Sequence, residues 1–345
     1  MTTAKLVISL DFELFWGVSD SRTIAGYGRN VLGVWQAIPR LLALFGRYGI
    51  RVTWATVGMV MCRDYRHWRD IRPAVLPGYA RAAVSPYSMD SLVSEHPRLF
   101  FARSLVEHIQ ATNGQELATH TYSHFYCNEA GATPGQFAAD LACARSIAAE
   151  MGVAPRSVVL PRNQIADDFL AVLPDAGIEV YRGNAQHWLY RNGNAVAGGI
   201  AGRAIRFADA FLPLSGQCTV REQAKDGLVN VPASLFLYPW SARQPALMAL
   251  RLRRLKQGMT EAARTGRIFH LWWHPHNFGV NLEENLALLE AILRHYQALA
   301  DTHGMQSRCM GDFASSANPA FRTAGQMFSP GSGQAIDYAS QREAQ

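Results

Sequence analysis

The sequence predicts an α/β fold built on a parallel sheet, from three observations. Residues 5–10 (KLVISL) are an apolar run rich in branched side chains, 34–48 carry apolar groups at helical spacing, and 51–58 (RVTWATVG) are strand-like again. Strand, helix and strand in that order make a parallel βαβ unit. The same alternation resumes beyond residue 99, and 345 residues suit a single α/β barrel.

Each element has its own signal. The first strand ends at Asp11. The helix over 34–48 puts Ile38, Leu41, Leu42, Phe45 and Tyr48 on one face, and Gly49 stops it. Residues 72–98 hold four prolines with little periodicity, which predicts a surface insertion. A helix near 99–112, a strand near 116–119, a helix near 135–150 and a strand at 157–161 follow. Residues 165–176 have a helical pattern and 177–183 (GIEVYRG) a strand pattern, while 184–226 have no clear period. A basic helix over 244–264, a strand of bulky residues at 267–274 and a helix over 282–303 complete the series. From Ala314 the chain is rich in Ala, Ser, Gly and Gln. The expected organisation is one domain over 1–313 with a tail over 314–345.

Composition narrows the function classes. A hydrophobic fraction of 49% with 17% charged residues describes a globular chain with a sizeable core. No run of 18 apolar residues occurs, and the start leads straight into LVISLDFE without a cleavage-site pattern. The expectation is a cytoplasmic protein. Five cysteines (Cys62, Cys127, Cys143, Cys218, Cys309) are scattered and never in CxxC spacing, so neither a disulfide scaffold nor a thiolate metal site is expected. A net charge of +6 would suit an anionic substrate or a membrane surface, but a mere solubility balance is the preferred reading. No basic-aromatic motif points to nucleic acid.

GYGRNVLG (26–33) has glycines at the wrong intervals for a dinucleotide fingerprint and is read as a glycine-rich surface loop. Phosphate-loop, nucleophile-elbow and HExxH motifs are absent from the sequence. Three other stretches carry chemistry. SLDFELFWG (9–17) puts Asp11 and Glu13 at a strand end, where carboxylates need solvent, a partner or a cation. In HTYSH, His120 and His124 project from one face if they share a helical turn, and two imidazoles then reach one ion. Thr121 and Ser123 hydroxyls stand ready to orient the rings. LWWHPHNFG (271–279) ends a strand in His274, with His276 and His270 as rivals for an acid-base role. Alone, the first two stretches read equally as an acidic loop and a surface turn, and a lone histidine at a strand end is more commonly a packed one. Together, at the C-terminal ends of successive strands, they would meet at one rim of a barrel.

At these residues the chain resembles the polysaccharide deacetylase superfamily (carbohydrate esterase family four, the NodB-homology domain). Asp11 and Glu13 resemble its acidic motif, His120-Thr-Tyr-Ser-His124 matches its His-Ser/Thr-x-x-His motif, LPRNQ (160–164) resembles its Arg/Pro motif, and His274 its final histidine. Two departures stand out: Phe12 separates the acids, and Arg162 follows Pro161 instead of preceding it. The resemblance covers about residues 5–313 and implies a distorted (β/α) barrel, often of seven strands.

It also implies a metal-dependent hydrolase that removes an N-acyl group, most simply N-acetyl, from an amino sugar. Glu13, His120 and His124 would hold a divalent metal, with Zn2+ best suited and nickel, cobalt or manganese as alternatives. Asp11 would be the base, Arg162 its orienting partner and His274 the acid, with Asp209 a guess for the residue behind His274. Trp16, Pro161, Asn163 and Trp188 are the expected substrate contacts. A cytoplasmic location favours a nucleotide-linked or lipid-linked sugar. Arg251, Arg253, Arg254 and Lys256 on the basic helix would suit peripheral membrane contact or a solvated outer face. A formamido-sugar deformylase, a metal-independent cyclic-amide hydrolase and a non-catalytic glycan-binding protein are the competing readings.

Overall fold

The computed structural model describes residues 2–186, 205, 208–209, 211–213, 216, 218–242 and 245–316. Strand β1 (Lys5–Phe12) is central. It pairs in parallel with β2 (Val52–Thr56), β9 (Ile268–Trp273) and, at its start, β10 (Gln306–Arg308). From β2 the sheet continues in parallel through β3 (Gln115–Thr119), β4 (Ser157–Val158), β5 (Val180–Tyr181) and β7 (Leu228–Asn230). The strand β6 (Gln223–Lys225) is antiparallel to β7, and β8 (Leu235–Phe236) is parallel to β9.

The sheet curls because one run of chain joins its two ends. Val231 and Ala233 N–H groups donate to the Tyr181 and Gly183 carbonyls, whereas those of Ser234 and Leu237 donate to His270 and Trp272. With 228–237 counted as one strand, it joins β1, β2, β3, β4, β5 and β9 to make seven strands around the interior. The period-2 alternation of strands sorts the side chains. Val7, Ala55, Ala118, Val159, Val180, Val231 and Ile268 fill the barrel, while Leu6, Ile8, Leu10, Trp54, Phe269 and Leu271 face the surrounding helices. Burial on both faces explains why β1 reads as a continuous apolar run.

The helices are α1 (Ile24–Leu32), α2 (Val34–Arg47), α3 (Tyr65–Asp70), α4 (Asp90–Glu95), α5 (Arg103–Ala111), α6 (Pro134–Ala149), α7 (Asp167–Leu170), α8 (Pro245–Thr265) and α9 (Leu282–His303). Helix α6 starts at a Thr133–Gln136 capping box with Pro134 at its first position. The stretch 26–33 is a correction to the expected surface loop. It lies mostly within α1, which Thr23 caps by accepting from Gly26 N–H. The strands expected at 157–161 and 177–183 are only two residues long, and 165–176 holds the four-residue α7 followed by turns.

The insertion 72–98 contains α4 and several 3-10 turns. Its Tyr79 packs against Phe125 and accepts a hydrogen bond from Tyr126 N–H (2.8 Å). A 3-10 helix over Met310–Ser316 buries Phe313 and Ala314, and residues 317–345 of the expected tail lie outside the described residues. No helix among the described residues is long and apolar enough to cross a membrane.

Candidate metal centre and active site

Asp11 and Glu13 are two residues apart on the strand that leads out of the barrel, and both are buried. The intervening Phe12 points into the outer core, so the spacing that departs from an adjacent pair still puts both carboxylates on the site. Glu13 stands at the centre of four imidazoles. Its Oε2 is 3.1 Å from His124 Nε2 and 3.4 Å from His120 Nε2; its Oε1 is 3.5 Å from His276 Nε2 and 3.6 Å from His274 Nε2. Burial opposes the charge on Glu13, but the surrounding histidines outweigh it and hold the carboxyl well below the usual range. Gly17 makes this arrangement fit: a Cβ there would lie 2.0–2.3 Å from the Glu13 carboxyl atoms.

His120 and His124 do not share a helical turn, which corrects the expected geometry. Thr121 (φ 64°) and His124 (φ 57°) are left-handed, so the motif folds back on itself. Asp140 of α6 holds it there, accepting from Tyr122 N–H (2.7 Å), Ser123 N–H (3.1 Å) and the Ser123 hydroxyl. Burial pushes the Asp140 carboxyl up to about 6. Thr121 Oγ1 accepts from Phe125 N–H and the Ser123 hydroxyl donates to Asp140, so these contacts brace the loop rather than the imidazole rings.

The donor set fits a divalent ion. His120 Nδ1 is 2.7 Å from the Val159 carbonyl, which can only accept, so Nδ1 donates there and Nε2 is the atom turned toward Glu13. Ligand atoms of Glu13, His120 and His124 all lie within 4.8 Å of one another. One buried carboxylate and two imidazoles suit zinc and its neighbours.

The base partner is a correction. Arg182, which follows β5 and is fully buried, grips Asp11 with both terminal nitrogens at 2.7 and 2.8 Å. Burial opposes ionisation of Asp11, and the guanidinium more than offsets it, so the carboxyl is held below its usual range. The expected partner, Arg162, has a left-handed backbone (φ 55°) that turns it to Asp20 and over the Tyr126 ring. Asn163 instead joins the site, its Oδ1 accepting from Arg182 at 2.9 Å. Pro161 is buried at the start of that turn.

The signal for Arg182 was present in GIEVYRG. The period of two puts it on the inward face with Val180, and a cation there demands an anion.

His274 lies at the rim, 23% exposed, with Nε2 3.8 Å from Asp11. His276 is buried, and burial followed by His274 pushes its imidazole down to about 3. His270 lies deeper, Nε2 to Ser9 Oγ at 2.9 Å and Nδ1 facing the Val231 and Pro232 carbonyls. Ser9 also accepts from Arg182, so His270, Ser9, Arg182 and Asp11 form one buried chain.

The expectations for Trp16, Asp209 and the basic helix also change. Trp16 is buried, donates to the Phe100 carbonyl and packs on Trp68 and Phe100, so it has no face for a sugar. Trp188 lies outside the described residues. Asp209 pairs with Arg254 at 2.9 Å. On α8, Arg251 and Arg254 are buried while Arg253 is exposed and Lys256 half-buried, so the four cations do not share one outer face.

No protein-family model and no curated protein sequence matches this chain. Solved structures do resemble it. A candidate polysaccharide deacetylase from Mycobacterium smegmatis is 14% identical, with 97% of this chain and 95% of that chain covered and a TM-score of 0.58. A second candidate polysaccharide deacetylase, from Pseudomonas aeruginosa PAO1, is 12% identical (90% and 89% covered, TM-score 0.54). Puue allantoinase is 11% identical (90% and 89% covered, TM-score 0.51). At these identities the likeness establishes the fold, and the chemistry has to be argued from the site.

Proposed function

From the polysaccharide-deacetylase barrel that this chain forms, we propose a metal-dependent hydrolase that removes an N-acyl group, most simply N-acetyl, from an amino sugar. The observation that carries this reading is the convergence of Glu13, His120 and His124 beside an Asp11 locked to Arg182. Glu13, His120 and His124 would hold the ion. When bound, the ion supplies Lewis acidity, making water a better nucleophile and stabilising negative charge on the attacked carbonyl oxygen.

The chain's own residues do the rest. Arg182 keeps Asp11 ionised and fixed in orientation, so Asp11 takes the proton of the attacking water. His274 has its Nε2 beside both carboxylates yet remains open to solvent, which suits proton delivery to the departing amine. Without that proton an amine is a very poor leaving group. The substrate class that fits is a glycan precursor, such as a nucleotide-linked or lipid-linked sugar.

The test is a panel of N-acetyl and N-formyl amino sugars and cyclic amides, assayed before and after chelation. Acyl release that stops on chelation and returns with Zn2+ is expected. Turnover in Asp11→Asn should fall about 10²–10⁴-fold while the protein still binds metal. Full activity after chelation, release of formyl groups alone, or sugar binding without any product would each replace this reading with a different one.

A further inference from the structure

We propose that the Glu13 carboxylate serves two metal positions, and that the second, formed with His274 and His276, is inhibitory. This inference rests on the proposed hydrolase reading for the first position. Each oxygen of Glu13 faces a different pair of imidazoles. Oε2 faces His120 and His124, while Oε1 faces His274 and His276 at 3.6 and 3.5 Å. The ligand atoms of Glu13, His274 and His276 lie within 4.8 Å of one another, as those of the first trio do.

His276 is the independent sign that this face takes a ligand. It is 3% exposed, and both its ring nitrogens lack a hydrogen-bond partner among the described residues. A buried imidazole left unpartnered is costly, and a bound cation removes that cost. A carboxylate with one oxygen toward each of two nitrogen pairs is also the bridging geometry of two-metal sites, where the ions sit about 3.5–4 Å apart.

The two positions differ in strength. His120 is oriented by its bond to the Val159 carbonyl, and its partner His124 is nearly as buried. His274 is at the rim, and Asp11 is already neutralised by Arg182. A single carboxylate therefore faces two dications, and the second ion binds against the charge of the first. Filling the second position uses the His274 Nε2 lone pair, so that nitrogen can no longer carry a proton to the leaving amine.

Titration of the metal-free protein with Co2+, followed by visible absorption and calorimetry, tests this directly. Wild type should bind two ions, one tightly and one weakly, with turnover falling about 10²-fold as the second fills. His276→Ala should bind one ion. His274→Ala, at the exposed rim, should also bind one and covers the case in which His276→Ala fails to fold. His120→Ala should lose the tight phase and keep the weak one. A single ion in wild type that disappears in His120→Ala would overturn the second position and leave the hydrolase reading standing. Two ions in both His276→Ala and His274→Ala would overturn it likewise. No ion at any concentration would remove both.

Discussion

Gly17 shows how a residue with no chemistry of its own shapes the centre. Its missing Cβ is the space the Glu13 carboxyl occupies. In Gly17→Ala the flexible end of Glu13 would move rather than the backbone, so metal affinity should fall about 10–100-fold with little change in melting temperature. Equilibrium dialysis and a thermal melt on one preparation check both halves. The contrast between Arg182 and Arg162 is just as direct. Arg182→Met leaves Asp11 charged and buried without its partner, and should cost about 3–5 kcal/mol in denaturant unfolding as well as turnover. Arg162→Met loses an ion pair to Asp20 and a contact over the Tyr126 ring, but 39% of the Arg162 side chain is exposed, so it should cost clearly less stability than Arg182→Met.

Among the elements, α6 reaches the centre without supplying a ligand. Its Asp140 gathers two backbone N–H groups and a hydroxyl from the histidine motif, which keeps Thr121 and His124 in the left-handed region. Asp140→Ala would strand those buried donors and should destabilise the protein by about 1–3 kcal/mol. It should also lower metal affinity, readable by calorimetry, because the loop between the two imidazoles loses its anchor. HTYSH was legible as a motif because its residue types and spacing are local. Its backbone path was not, since the carboxylate that bends it sits 17 residues downstream of Ser123.

For the whole molecule, the barrel interior holds both an apolar cluster and a polar one. Val7, Ala55, Ala118 and Val159 belong to the first, and Ser9, His270, Arg182 and Asp11 form the second. Burial, with Arg182, pushes His270 down from 6.5 to about 3. Between those values the unfolded chain binds a proton that the folded chain refuses. Stability is therefore complete above pH 6.5 and falls on acidification by about 1.4 kcal/mol per pH unit from this group. Denaturant unfolding at pH 7 and pH 5 should show a smaller loss in His270→Gln than in wild type.

The sequence by itself determined the parallel α/β class, the positions of the main helices and strands, and the candidates Asp11, Glu13, His120, His124 and His274. These follow from local periodicity and from residue types at strand ends, which a linear reading contains. Tertiary structure decided that Arg182 and not Arg162 holds Asp11, that Trp16 is core, and that His276 joins His274 on the far oxygen of Glu13. Those assignments depend on which way side chains turn when distant strands close around one axis. Arg182 and Asp11 are 171 residues apart in the chain and 2.7 Å apart in space.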